Sequence, residues 1–351
     1  MVGKQRNFGL DVTRSVSILL VLAAHRYTLN YELGIVGVQI FFVLSGFLIG
    51  QILLKQYAKA ISVKSVFDFW KRRWFRILPM YYLVLVLKII VYGNPFGWKM
   101  IVYFLFLQAN FVGISFFGVS WSLVVEEWFY IILPFILYVV FKLTPILKKQ
   151  LILLLFASIF FLVVRFMWNS FGKGVIVFQF DCLLLGVVLA YMKIYFNDFY
   201  KKLSSFYLFI IGLVGVVLMT IILGDISILP LKSPFYRVIW YFIISIIISI
   251  MIPFVENNRI VNIKMKKVKL FYYFFTITSI LTYSIYLLHM EIFRMINFNL
   301  NDCILLIIQL IILYVICAVA YIIYEHPMLS LRDNFSLKQY IQTIKSVTFK
   351  L

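Results

Sequence analysis

The feature that most constrains this chain is a succession of apolar runs, each about 20 residues long, separated by short clusters of glycine, proline, asparagine and charge. A run of that length, wound as an α-helix, crosses the hydrocarbon core of a bilayer. Hydrocarbon in turn admits only segments whose backbone hydrogen bonds are satisfied within the protein. The spacing predicts about ten spans, over roughly 10–29, 35–54, 77–93, 119–141, 150–167, 174–192, 203–224, 236–255, 271–290 and 303–323. Composition agrees. Of the 351 residues 64% are hydrophobic and the mean hydropathy is +1.03, which leaves too little polar surface for a water-soluble domain of this size. The expected fold class is all-α, a polytopic transmembrane helical bundle.

Charge tests that division. The formal net charge is +20, a balance that in a soluble protein would raise nucleic-acid binding. Here most of the basic residues fall on one side if the N-terminus is cytoplasmic. Lys4, Arg6, the cluster from Lys55 to Arg76, Lys142, Lys148, Lys149, Lys193, Lys201 and Lys202 lie inside. So do Arg259 to Lys269 and Arg332 to Lys350, whereas the outer loops hold Lys99, Lys173, Lys232 and Arg294. That asymmetry follows the positive-inside rule, places both termini in the cytoplasm and needs no nucleic acid. Residues 100–117, MIVYFLFLQANFVGISFF, are also apolar, yet counting them as a span would invert everything downstream. They are expected to be re-entrant or interfacial. The basic start MVGKQRNFG lacks a small-residue cleavage site, so the first span is expected to be retained. Cys182, Cys303 and Cys317 show no ligand spacing, and neither a disulfide framework nor a metal site is expected. The organisation read here is one membrane domain over 1–330 and a short cytoplasmic tail over 331–351.

Ionisable groups inside spans cost about 2.5–3.5 kcal/mol each to insert, so each one demands a reason. The first span carries Asp11, Arg14 and His25. Asp11 and Arg14 are spaced to pair at i,i+3, and His25 returns to nearly the same face roughly 16 Å further along the axis. Asp11–Arg14 is open to reading as a structural ion pair, and His25 as an interhelical hydrogen-bonding residue or a catalyst. In SWSLVVEEWFY, Ser122, Glu126 and Tyr130 draw one polar stripe, and Glu127 points about 100° away. A carboxylate beside a histidine orients the ring and raises its basicity. In FWKRRWFRILPMYY, Arg72 and Arg76 share a face and, with Arg73, can clamp a phosphate or merely touch lipid headgroups. Asp181 should face the bundle, His289 lies on the membrane side of His25, and Glu325 closes the last span. Arg26 is expected to snorkel to outer headgroups, and His326 to be a surface residue.

Taken in order, these motifs resemble the integral membrane acyltransferases called acyltransferase family 3. LDVTRSVSILLVLAAH resembles that family's opening helix, and GVQIFFVLSGFLIG its second. KRRWFRILPMYY is similar to its Arg-x-x-x-Arg-Ile-x-Pro stretch, and SWSLVVEEWFY to its Ser-Trp-Ser-Leu-x-x-Glu-Glu signature. TYSIYLLH, with Tyr283 and His289, resembles a later helix, and YEHPML the closing Glu-x-Pro. Two departures stand out. Gln179 occupies a place where the family often has an arginine before the Asp of Asp181, which puts a salt bridge to Asp181 in doubt. Ser279 stands for a frequent glycine. A hydrolase-like C-terminal domain, carried by some relatives, is not expected after residue 351.

The resemblance implies a multi-pass protein of the bacterial cytoplasmic membrane that transfers an acyl group, usually acetyl from acetyl-coenzyme A, to a carbohydrate hydroxyl. The acceptor is typically O-antigen of lipopolysaccharide, capsule or exopolysaccharide. It further implies that His25 is catalytic. Combined with the charge count, the expectation is that Arg72, Arg73, Arg76 and Arg14 hold the phosphates of cytoplasmic acyl-CoA. His25 then acts as general base or, alternatively, nucleophile, with Glu126 orienting it and Glu127 in support. Asp11, Ser122, Tyr130, Asp181, Tyr283, His289 and Glu325 are the supporting set. Acyl-CoA is the co-substrate, no bound cofactor or metal is expected, and the bilayer and the carbohydrate are the remaining partners. Oligomeric state is not legible. Two rival classes remain: a transporter of a glycan or acylated substrate, against which stands the lack of an inverted repeat, and an acyltransferase acting on a cytoplasmic small molecule.

Overall fold

In the computed structural model the described residues are 6–26, 31–58, 62–170, 179–224, 234–257, 268–298 and 301–331, and they hold helices and turns without a β-strand. In chain order the elements begin with α1 (Phe8–Arg26), α2 (Tyr31–Tyr57) and α3 (Val63–Tyr92). A stretch of short turns follows: a 3₁₀ turn at Gly97–Met100, α4 (Ile101–Phe104), α5 (Gln108–Phe111) and a 3₁₀ turn at Ser115–Phe117. Next come α6 (Ser120–Leu143), α7 (Leu147–Ser170), α8 (Phe180–Tyr195), α9 (Asn197–Leu203), α10 (Phe206–Gly224) and α11 (Pro234–Asn257). The chain closes with α12 (Lys269–Met295), α13 (Asp302–Ala320), a π turn at Tyr321–Glu325 and α14 (His326–Leu331).

A long helix therefore stands at each of the ten expected spans. Eight are long and apolar enough to cross a bilayer alone, the last being α13 continued to Leu331, and α9 with α10 forms a pair bent by 61° that makes a ninth. The tenth, α8, has 16 residues, and the start expected for it at residue 174 lies outside the described residues. So does the expected tail beyond Leu331. One boundary is corrected. The third helix begins at Val63, not near residue 77, because Ser62 and Ser65 form a reciprocal capping box that starts it early. Its 30 residues span about 45 Å, more than the hydrocarbon thickness of about 30 Å, so the arginine cluster is helical and not part of a loop.

The chain divides into two units, Met1–Ile61 with Val125–Ile280, and Ser62–Val124 with Leu281–Leu351. The first is organised around α8, which is buried at every residue from Phe180 to Tyr191. A helix that is apolar all round belongs in a core. Its partner α2 approaches so closely that a Cβ on Gly46 would lie 1.9 Å from the Leu183 carbonyl oxygen, and one on Gly186 2.2 Å from that of Val43. Small residues do this work because lipid is as apolar as leucine, so helices associate in membranes through close packing and hydrogen bonds. The same device seats α1 on α11, where Gly9 faces Val255.

The second unit contains the stretch over 97–117, and its short helical turns fit a segment that does not cross as a helix. Broken helices free backbone carbonyls, and α3 supplies donors for them. The Tyr81 hydroxyl donates to the Tyr103 carbonyl at 2.9 Å and that of Tyr82 to Phe104 at 2.9 Å. Tyr103 donates onward to Gly113 at 2.8 Å. Phe106 adopts φ 56°, a conformation rare for a bulky residue, and its ring stacks on Tyr81 with centroids 4.4 Å apart. These carbonyls of the irregular backbone are thereby partnered within the protein.

The α2–α8 contact yields a paired test. Gly186→Ala, whose Cβ meets backbone, should destabilise by at least about 1–3 kcal/mol and lower the melting temperature of detergent-purified protein. Gly118→Ala, which meets nothing within 4 Å, should leave it unchanged.

Candidate active site

On α1 the predicted pair forms and acquires more partners. Arg14 Nη1 lies 3.1 Å from Asp11 Oδ1, and Arg6 grips the same carboxylate as a fork, Nε to Oδ2 at 3.0 Å and Nη2 to Oδ1 at 2.8 Å. Ser279, in the place of the family's frequent glycine, donates to Asp11 Oδ1 at 2.8 Å. The serine is thus a fourth member of the cluster. At the other end of α1, His25 is half-buried and its Nδ1 sits 2.9 Å from the Val21 carbonyl. A carbonyl only accepts, so Nδ1 carries the proton of the neutral ring and Nε2 is the basic nitrogen.

The polar stripe of α6 is used at both ends for packing. Tyr130 pairs with Ser45 at 2.6 Å in the first unit. In the second unit Tyr286 donates to the Val119 carbonyl at 2.9 Å, so at its 2.7 Å contact with Ser122 the serine is the donor. Of the two acids Glu127 is buried and Glu126 half-buried.

Arg72 and Arg76 are exposed on α3 and Arg73 is half-buried. The remaining supporting residues of the second unit are joints between helices. Tyr283 donates to the Ile77 carbonyl at 2.8 Å, one residue past Arg76. Glu325, turned inward by the π turn, accepts from Ser284 at 2.8 Å. His289 is fully buried, its Nδ1 shared between the carbonyls of Tyr286 at 2.8 Å and Ile285 at 3.1 Å.

Asp181 faces the bundle as expected, and the doubt about its salt bridge is answered by a residue that sequence reasoning passed over. Arg165 of α7 donates Nη2 to Asp181 Oδ2 at 2.5 Å and to the Val238 carbonyl at 2.9 Å, and the two side chains are 1% and 0% exposed. Gln179, in the place of the family's arginine, instead accepts from Gln39 at 2.6 Å, and Ser245 donates to Gln39 at 3.0 Å. Two further pairings were missed. Lys88 is buried against Glu291, which also accepts from Tyr92 at 2.8 Å. Lys193 pairs with Glu256, to which Tyr200 donates at 2.6 Å. The signal for Arg165 and Lys88 was present, since each is a cation within an apolar run.

Removing one member of a buried ion pair leaves an uncompensated charge, at a cost of about 3–5 kcal/mol, whereas replacing both by apolar groups is often neutral. Arg165→Met and Asp181→Leu should each lower the melting temperature in detergent, and the double variant should melt closer to the wild type than either single one.

Comparison with known proteins places these features in a context. The chain is 36% identical over 155 residues to the peptidoglycan O-acetyltransferase OatA of Listeria monocytogenes, covering 38% of this chain and 24% of the relative. It is 29% identical over 250 residues to the O-acetyltransferase OatA of Staphylococcus aureus, covering 62% of this chain and 40% of that protein. The chain thus spans less than half the length of these curated relatives. No solved structure matches it. The sequence model of an acyltransferase domain, acyltransferase family 3, matches residues 7–325, nearly the whole chain, and this multi-pass membrane protein belongs to that family.

Proposed function

We propose that this protein moves an acyl group, acetyl in the first instance, from cytoplasmic acyl-CoA to a hydroxyl of a cell-surface carbohydrate. The observation that carries the reading is His25, whose Nδ1 bond to the Val21 carbonyl makes Nε2 the base of the neutral ring. Family membership supports acyl transfer, and the O-acetyltransferase names of the relatives support a hydroxyl acceptor. Peptidoglycan, named for one of them, joins O-antigen, capsule and exopolysaccharide as the acceptor class.

In this mechanism Nε2 of His25 takes the proton of the acceptor hydroxyl as its oxygen attacks the thioester carbonyl carbon. The C–S bond then breaks, and the departing CoA sulfur takes that proton from the imidazolium. A thioester is already activated, so a positioned base in a water-poor site suffices. Glu126 balances the imidazolium charge, Glu127 supports it, and Arg72, Arg73 and Arg76 hold the phosphates of the donor.

The test is transfer of labelled acetyl from acetyl-CoA to surface glycan by membranes containing the protein. His25→Ala should lower the rate by at least about 100-fold while the protein stays in the membrane, the range expected for loss of a general base. Activity within a few fold of wild type would remove His25 from the chemistry. Arg72→Lys with Arg76→Lys should raise the KM for acetyl-CoA, because a point charge does not reproduce a planar fork.

A further inference from the structure

The stretch over 97–117 holds a side chain whose polar atoms are not all used. Gln108 is fully buried, as are its partners Tyr81 and Ser120. Its Nε2 lies 3.1 Å from Ser120 Oγ and 3.4 Å from the Tyr81 hydroxyl. Both hydroxyls already donate elsewhere, Ser120 to the Phe117 carbonyl at 2.6 Å and Tyr81 to that of Tyr103 at 2.9 Å. A hydroxyl has one proton, so each can only accept from Gln108, and the amide must turn its nitrogen toward them. That fixes its orientation, and Oε1 has no hydrogen-bond partner among the described residues. The backbone is anchored too, because the Gln108 carbonyl accepts from the N–H groups of Val112 at 3.1 Å and Gly113 at 2.8 Å.

A buried acceptor without a donor has lost its hydration for nothing and calls for a reason. A second feature lies two residues away. Phe106 holds φ 56° while its ring stacks on Tyr81, and a bulky residue in the left-handed region stores strain of the kind that recurs at ligand sites. On the other side Ser120 begins α6, the helix of Ser122, Glu126 and Glu127. Chemistry narrows the missing partner. An amide oxygen only accepts, which excludes phosphate, carboxylate and the thioester carbonyl and leaves a group that donates. Sugar hydroxyls and the amide N–H groups of the pantetheine arm both qualify. The charge count separates them, since it puts this stretch on the outer side, where a surface glycan lies.

We propose that Gln108 is a binding residue for the carbohydrate acceptor, its Oε1 accepting from a sugar hydroxyl other than the one acylated. The inference rests on the carbohydrate reading above and names one contact of the acceptor site. Because the amide is fully buried, a sugar reaches it only when the strained turn at Phe106 shifts.

The test uses the full chain in detergent and surface glycan stripped of its acyl groups by mild alkali. Glycan binding is measured by calorimetry without acetyl-CoA, and transfer is then followed with glycan and acetyl-CoA varied in turn. Gln108→Met keeps the length of the side chain and removes the acceptor oxygen. It should bind glycan about tenfold more weakly and raise the KM for glycan by a similar factor, with the KM for acetyl-CoA within about twofold of wild type. Gln108→Asn, which keeps the amide but withdraws it by one methylene, should weaken glycan binding in the same way, and it serves if the first variant loses its melting transition. Equal rises in KM for glycan and acetyl-CoA would mark a structural role and overturn the proposal. So would a rise for acetyl-CoA alone, which would assign Oε1 to the pantetheine arm. Glycan binding that neither variant changes, or a wild type that binds no glycan, would overturn it as well. If glycan binds the wild type and binds the variants more weakly, yet no acetyl is transferred, the contact stands and the acyltransferase reading falls.

Discussion

A charge taken out of water must bring its own partner, and the arrangement of this protein follows from that requirement. Asp11 holds Arg6 and Arg14, Asp181 holds Arg165, Glu291 holds Lys88 and Glu256 holds Lys193. Each pair joins different helices or different levels of one helix, so the ionic partners also fix which faces of apolar helices meet. Breaking a buried pair strands a charge, which makes these contacts strongly interdependent with the packing around them. The backbone obeys the same rule over 97–117, where tyrosine hydroxyls of α3 take up carbonyls that a continuous helix would have satisfied.

The two ends of α1 are built in different ways. Near its start a buried carboxylate presents two guanidiniums, and in its last turn a backbone carbonyl sets the tautomer of His25. Neither device needs a long side-chain relay. The helix supplies both, because the i,i+3 spacing brings Asp11 to Arg14 and the i−4 carbonyl lies beside the His25 ring. The neighbouring helices hold this one in place, with Gly9 against Val255 and Ser15 donating to the Phe275 carbonyl at 2.7 Å.

Some of this was legible in the residues. Ten apolar runs marked ten helices, and the charge balance argued that the apolar stretch over 100–117 does not cross. The i,i+3 spacing of Asp11 and Arg14 foretold their pairing. Boundaries were less legible where a cap rather than hydropathy starts a helix, as at Ser62. The polar stripe of Ser122, Glu126 and Tyr130 was found as residues but not as contacts. Its serine and tyrosine tie helices together, and the neighbouring Glu127 is buried more deeply than Glu126.

Sequence alone determined the class of the molecule, the placement of its helices, the family motifs and the face that carries Asp11, Arg14 and His25. These depend on chain-local quantities: run length, helical periodicity and the distribution of charge. Only the tertiary structure decided that Arg165 serves Asp181, that Lys88 serves Glu291, and that Arg6 and Ser279 complete the Asp11 cluster. The physical reason is that lipid and protein interior are equally apolar. Hydropathy therefore carries no record of which face of a span turns inward, and the partner of a buried charge is settled by close packing between helices distant in the chain.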